Sequence, residues 1–150
     1  MRCFFFLPVV LLSFASVAQE TNVFEKANTF IIETRLNPDS IFIAWGRHLA
    51  QSGYIIDKSD KDFLSLTTGP KDLDQINIDY IVVSAVDAKG RIKITIRWRT
   101  KSFPMTHTRA TDYDRWSYRN SKLSSAPQIH NDFVKVAKRF GTFEILYSIE

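Results

Sequence analysis

The side chains that could do chemistry are few and scattered. His48, His107 and His130 are the three histidines, and none stands at a metal-site spacing such as H-E-x-x-H from a second ligand. His48 sits beside Leu49 on a helical face and reads as packing, His107 in "PMTHTRATD" reads as a loop residue, and His130 falls in the first turn of the last helix, where simple exposure is expected. Carboxylates gather twice, as Asp57, Asp60 and Asp62 in "DKSDKD" and as Asp112 and Asp114 in "TDYDRW". The first group lacks the D-x-[DN]-x-[DN]-G grammar of a calcium loop and is interleaved with Lys58 and Lys61, which describes a polar hairpin turn. The second group, with His107, is what a hydrolase would need for acid and base. Two aspartates one residue apart nevertheless face the same way on a strand beside Arg115, and paired surface charge accounts for them more simply. With no G-x-S-x-G elbow, phosphate-binding glycine loop or dinucleotide fingerprint, the expected chemistry is binding without catalysis, and no cofactor or metal is expected.

The one regular constellation is "RIKITIRWRT", residues 91–100. Successive side chains of a strand point to opposite faces, so Arg91, Lys93, Arg97 and Arg99 stand on one side, with Lys101 just beyond, and Ile92, Ile94, Ile96 and Trp98 on the other. The run "INIDYIVVSAVDAKGRIKITIRWRT" reads as a hairpin with Ala88, Lys89 and Gly90 as its loop and Asp87 opposite Arg91. In that register Ile78, Tyr80, Val82, Ser84 and Val86 share a face with Thr100, Trp98, Ile96, Ile94 and Ile92. The other face pairs Asp79 with Arg99 and Asp87 with Arg91, and sets Ile81, Val83 and Ala85 across from Arg97, Thr95 and Lys93. A slip of one residue would mix the two faces.

Asp79 and Asp87 explain two of the cations. Lys93, Arg97 and Lys101 are left over a strip of Ile81, Val83 and Ala85 that a merely solvated face would not need. Either the chain's own 101–126 stretch covers that strip, or the face is a contact surface with a cationic rim and an apolar floor. "DYDRWSYRN" adds Tyr113, Trp116 and Tyr118, rings suited to stacking on sugars or peptide side chains, so the candidate binding residues are Lys93, Arg97, Lys101, Ile81, Val83, Trp116 and Tyr118.

The elements that must position these residues can be read in order. "NTFIIETRL" alternates as a strand. "NPDSIFIAWGRHLAQSG" has helix punctuation at both ends, with Asn37 to cap, Pro38 and Asp39 in the first turn and Gly53 as terminator, and it brings Ile41, Phe42, Trp45, His48 and Leu49 to one face. "GYIID" and "DFLSLTTGP" are short strand candidates about the turn "KSDK", "GPKDLDQ" is a loop into the hairpin, and one more strand is expected around "DRWSYRN". From Pro127, Ile129, Phe133, Val136, Phe140, Phe143 and Tyr147 keep helical spacing across Gly141, which favours one long terminal helix over a helix followed by a strand. The order predicts an α+β two-layer sandwich, an antiparallel sheet with its helices on one face, in the sequence β-α-β-β-β-β-α.

Residues 1–18, "MRCFFFLPVVLLSFASVA", predict a cleaved secretory signal, with Ser16 and Ala18 where a signal peptidase reads. The apolar run is nearer fifteen residues than the roughly 20 of a spanning helix, and Cys3 precedes it, so no lipid attachment and no transmembrane segment after cleavage are expected. Residues 19–27 are expected to be a flexible leader and 28–150 a single domain, periplasmic or secreted and, without cysteine, held by packing alone. The mature chain carries +3, but residues 19–88 sum to −5 and residues 89–139 to +10, which suggests an ionic partner.

The stretch "NTFIIETRLNPDSIFIAWGRHLAQSGYIIDKSDKDFLSLTT" and the hairpin after it, a strand, a Pro-initiated helix ended by Gly-Tyr and a "SDKDFLSLTT" turn and strand, resemble small envelope domains of Gram-negative bacteria with TBP-like or BamC-like folds. The likeness is one of element order over residues 28–150. It implies an envelope domain with no catalytic residues to carry over, and the lack of a lipid-attachment cysteine departs from the BamC pattern. Together these readings predict a non-enzymatic binding or assembly module that meets a protein partner through the open sheet face, with an anionic glycan or lipid headgroup as the alternative. Nucleic acid is not an expected partner in that compartment.

Overall fold

The computed structural model describes residues 21–101, 113–121 and 124–150. The readings made on residues 1–18, on His107 and on Asp112 lie outside them. In chain order the elements are β1 (Thr29–Glu33), α1 (Pro38–Gln51), β2 (Ile56–Asp60), β3 (Ser65–Thr68), β4 (Lys71–Leu73), a 3-10 turn (Asp74–Ile76), β5 (Ile78–Val86), β6 (Ile92–Thr100), β7 (Asp114–Arg115), α2 (Ala126–Phe140) and β8 (Glu144–Ser148).

The protein is α+β, an open antiparallel sheet in the order β2-β3-β5-β6-β1-β8, with β4 also paired to β5 and β7 to β6. The β5–β6 hairpin has the expected register throughout, from Ile78 opposite Thr100 to Val86 opposite Ile92. Its turn closes through the Asp87 N–H to the Arg91 carbonyl. Gly90 has φ of 74° there, and a Cβ on it would collide with the Leu36 carbonyl oxygen. Only glycine fits both the left-handed conformation and the close backbone approach.

The helices form the second layer. Asn37 caps α1 by accepting from the Asp39 and Ser40 N–H groups, and Gly53 with φ of 86° ends it. The buried Ile41, Phe42, Trp45 and Leu49 of α1, and Ile129, Phe133, Val136 and Ala137 of α2, join Phe30, Ile32, Tyr80, Val82, Ile92, Ile94 and Ile96 in one core. Buried polar groups in this layer have partners, as they must where water is excluded. The Trp45 indole donates to Ser84 Oγ at 3.0 Å, and the Trp116 indole to the Ala126 carbonyl at 3.1 Å.

Four expectations need correction. The terminal helix stops at Phe140, and residues 144–148 form an edge strand along β1, from Glu33 opposite Glu144 to Thr29 opposite Ser148. The spacing that mimicked a continuing helix also satisfies a strand: Ile145 and Tyr147 are two apart and face the core, and the gain of pairing the outer edge of β1 is a long-range term that periodicity does not contain. The turn after β2 lies at residues 61–64, not at "KSDK", because the Asp60 carboxylate accepts from the N–H groups of Asp62 and Phe63 and Leu64 takes φ of 46°. "GPKDLDQ" contains the strand β4. The leader is packed from Val23 onward: Val23 and Phe24 lie against the core, Ala27 is buried, and the Lys26 N–H donates to the Tyr118 carbonyl at 2.8 Å.

Candidate functional site

The face of β5 and β6 away from the helices carries a groove of about 690 Å³ lined by Asp57, Lys58, Thr67, Pro70, Ile81, Val83, Thr95, Arg97 and Tyr113. Strand alternation puts Ile81 and Val83 on its floor, both half-buried, with Arg97 directly opposite Ile81 and exposed. No described helix lies over it. The groove therefore brings together three of the residues selected from sequence, namely Ile81, Val83 and Arg97.

The remaining members go elsewhere. Lys93 is ion-paired to Glu150 at 2.6 Å and Lys101 to Asp72 at 3.1 Å, so these two cations are compensated within the chain. Trp116 is a core residue, fully buried, with its ring stacked on Phe30 at 4.9 Å between centroids. Tyr118 packs beside it, edge-on at 6.3 Å. The expectation that these rings lie near the basic face fails for a simple reason: β7 pairs with β6 for two residues, and the backbone then runs past Ala27, delivering Trp116 under α2.

The expected cross-strand pairs are present and differ in depth. Arg99 grips Asp79 through three hydrogen bonds of 2.9–3.0 Å, and Asp79 is 4% exposed. Tyr113 lies under the Arg99 guanidinium at 4.5 Å, and burial pushes its phenol up to about 12. Burial alone would raise the Asp87 carboxyl, but the Arg91 and Lys89 N–H groups and the Arg91 guanidinium outweigh it and hold the acid below its ordinary range.

Two clusters escaped the sequence reading. The Tyr54 and Tyr80 hydroxyls lie 2.6 Å apart, Tyr80 donates to Asp132 Oδ2 at 2.7 Å, and Lys71 Nζ stands 3.1 Å from the same oxygen and 4.4 Å over the Tyr54 ring. Since the Tyr80 proton points to Asp132, Tyr54 is the donor of the first bond. Burial raises both phenols above the ordinary tyrosine range, which keeps them neutral and unsuited to nucleophilic work. The cluster is a clasp that ties the exit of α1, the sheet and α2 together. His130 is the second case. It is half-buried, not exposed, stacked on Phe30 and Trp116 with Nε2 3.1 Å from the Tyr147 hydroxyl. Neither could be found from spacing, because the rings and hydroxyls that define each cluster come from segments distant in sequence. His48 does pack as expected, on Trp45, with Nε2 2.9 Å from the Val136 carbonyl.

A second concavity of about 610 Å³, at the start of α2, is lined by Trp98, Asp114, Arg115, Arg119 and several serines. Among the described residues no group of three or more His, Cys, Asp or Glu side chains could hold a metal ion, and no helix is long and apolar enough to cross a membrane. Compared with known proteins, the chain matches no family model and no curated protein.

Proposed function

We propose that this is a non-enzymatic binding or assembly module of the cell envelope, exported by its first eighteen residues, that meets a protein partner through the open face of the sheet. The observation that supports this is the asymmetry of the groove. Its floor is the aliphatic pair Ile81 and Val83, and its rim holds an arginine that enters no ion pair among the described residues, whereas the neighbouring cations Lys93, Arg99 and Lys101 are each compensated within the chain. A surface with an apolar floor and an exposed charge at its edge has the anatomy of a small interface.

The test places a photo-cross-linking amino acid at Val83, in the groove, and separately at Ile43, on the exposed side of α1, in cells that express the protein. A discrete adduct from position 83 and none from 43 is the expected result. Adducts from neither position, or equally from both, would remove the assignment.

A further inference from the structure

Arg97 and Arg115 are direct cross-strand partners in the β6–β7 pairing, on the open face. Both are exposed. Like charges placed directly opposite on a sheet repel and lower its stability. The arrangement recurs on this face at Asp72 opposite Asp79 and at Glu33 opposite Glu144, but the other basic residues of the β5–β6 hairpin face are answered by acids. Asp79 answers Arg99, Asp87 answers Arg91, Glu150 answers Lys93 and Asp72 answers Lys101. Among the described residues Arg97 and Arg115 enter no ion pair. Arg115 reaches only the neutral Asn28 Oδ1 at 3.5 Å and Thr29 Oγ1 at 3.4 Å, at the limit of hydrogen bonding.

We propose that Arg97 and Arg115 form a clamp for a carboxylate of an acidic, otherwise aliphatic peptide segment that lies in the open-face groove. This deepens the reading given above and rests on it. Guanidinium groups present paired N–H donors that match a carboxylate, so one acid between two arginines converts their repulsion into charge-assisted hydrogen bonds. The rest of the groove selects the carrier. Ile81 and Val83 on the floor, with Pro70, Thr67 and Thr95 around them, suit alternating aliphatic side chains of an extended segment. Asp57 beside Lys58 makes the rim mixed in charge and not the uniformly cationic surface that suits a polyanion, and Trp116, buried under α2, offers no ring to a sugar.

The probe is a capped pentapeptide of alternating valine and glutamate, titrated into the ¹⁵N-labelled protein, with the glutamine version, inorganic phosphate and phosphatidylglycerol vesicles as separate arms. Saturable shifts at the amides of Val83, Thr95, Arg97 and Arg115 are expected with the glutamate peptide only, weakened about tenfold or more in Arg97→Gln and in Arg115→Gln. Without ligand, Arg97→Gln should raise Tm by about 1–4 °C, because it removes the repulsion, and the glutamate peptide should raise Tm of the wild type but not of that variant. Absence of saturable shifts with the peptide, shifts indifferent to both substitutions, or a fall in Tm for Arg97→Gln would each overturn the clamp. Saturation with phosphate or vesicles alone would overturn the peptide as its occupant. Survival of the Val83 adduct in Arg97→Gln, where the peptide fails to bind, would show the clamp wrong and the open-face assignment still standing. Loss of both in Arg97→Gln is the result the clamp predicts, whereas absence of both the adduct and the peptide shifts in the wild type would remove both readings.

Discussion

The two faces of one hairpin are built on opposite rules. On the helix side, Tyr80, Val82, Ile92, Ile94 and Ile96 are buried to within a few per cent, and the polar groups among them have short, specific partners such as Trp45 with Ser84 and Tyr54 with Tyr80. On the other side, Arg91, Lys93 and Arg99 each have an acidic partner, the floor is only half-buried, and Arg97 faces Arg115 with no ion pair among the described residues. The first face is arranged for stability. The second keeps its neutralisation local and leaves one position unresolved, which is the pattern expected where a surface is kept for something other than folding.

That contrast predicts different costs of mutation. The largest belongs to the helix side: Trp45→Ala removes a fully buried indole and strands the Ser84 hydroxyl, and should cost about 3–5 kcal/mol. Urea denaturation measures it, and a loss below about 1 kcal/mol would mean that α1 does not anchor the sheet. On the open side the corresponding figure is smaller. Asp79→Asn leaves Arg99 with a neutral partner in a place where Asp79 itself is nearly inaccessible, and about 1–3 kcal/mol should be lost. If Asp79→Asn proved as costly as Trp45→Ala, the open face would be a second core and the groove a fold feature.

How far this was legible in sequence follows the same division. The hairpin register could be read residue by residue because period-2 alternation over nine residues admits one solution once Gly90 fixes the turn. Helix α1 could be read because Asn37, Pro38 and Gly53 are local signals. What could not be read depends on contacts between distant segments. The choice of β8 over a continued helix depends on the free edge of β1, more than a hundred residues earlier, and the burial of Trp116 depends on two residues of β7 pairing. The partners of Lys93 and Lys101 were hidden for the same reason, since Glu150 follows a strand expected to be helix and Asp72 belongs to one expected to be loop. At the candidate site, the sequence identified Ile81, Val83 and Arg97 through alternation, while the opposition of Arg97 to Arg115 needed the register of a two-residue strand.

The smallest effect separates the faces by pH. Burial among Phe30, Trp116 and Tyr147 lowers the His130 pKa, with Asn131 opposing it and Lys138 adding to it. A histidine whose folded value lies below its unfolded value of about 6.5 binds protons more readily in the unfolded chain. Its contribution is therefore complete above that value and is lost as pH falls through it toward the folded value. The acid Asp87, on the open side, is also depressed from 3.8, so its contribution is complete above that value and is lost only as pH falls below it. Between pH 7 and 5 the helix side should thus weaken while the Asp87–Arg91 pair does not. Melting temperature across that range should fall on acidification in the wild type and fall less in His130→Gln, with Asp87→Asn leaving the slope unchanged. An equal slope in wild type and His130→Gln would show that the ring is not held in its unprotonated form, and that acid does not reach the helix side first.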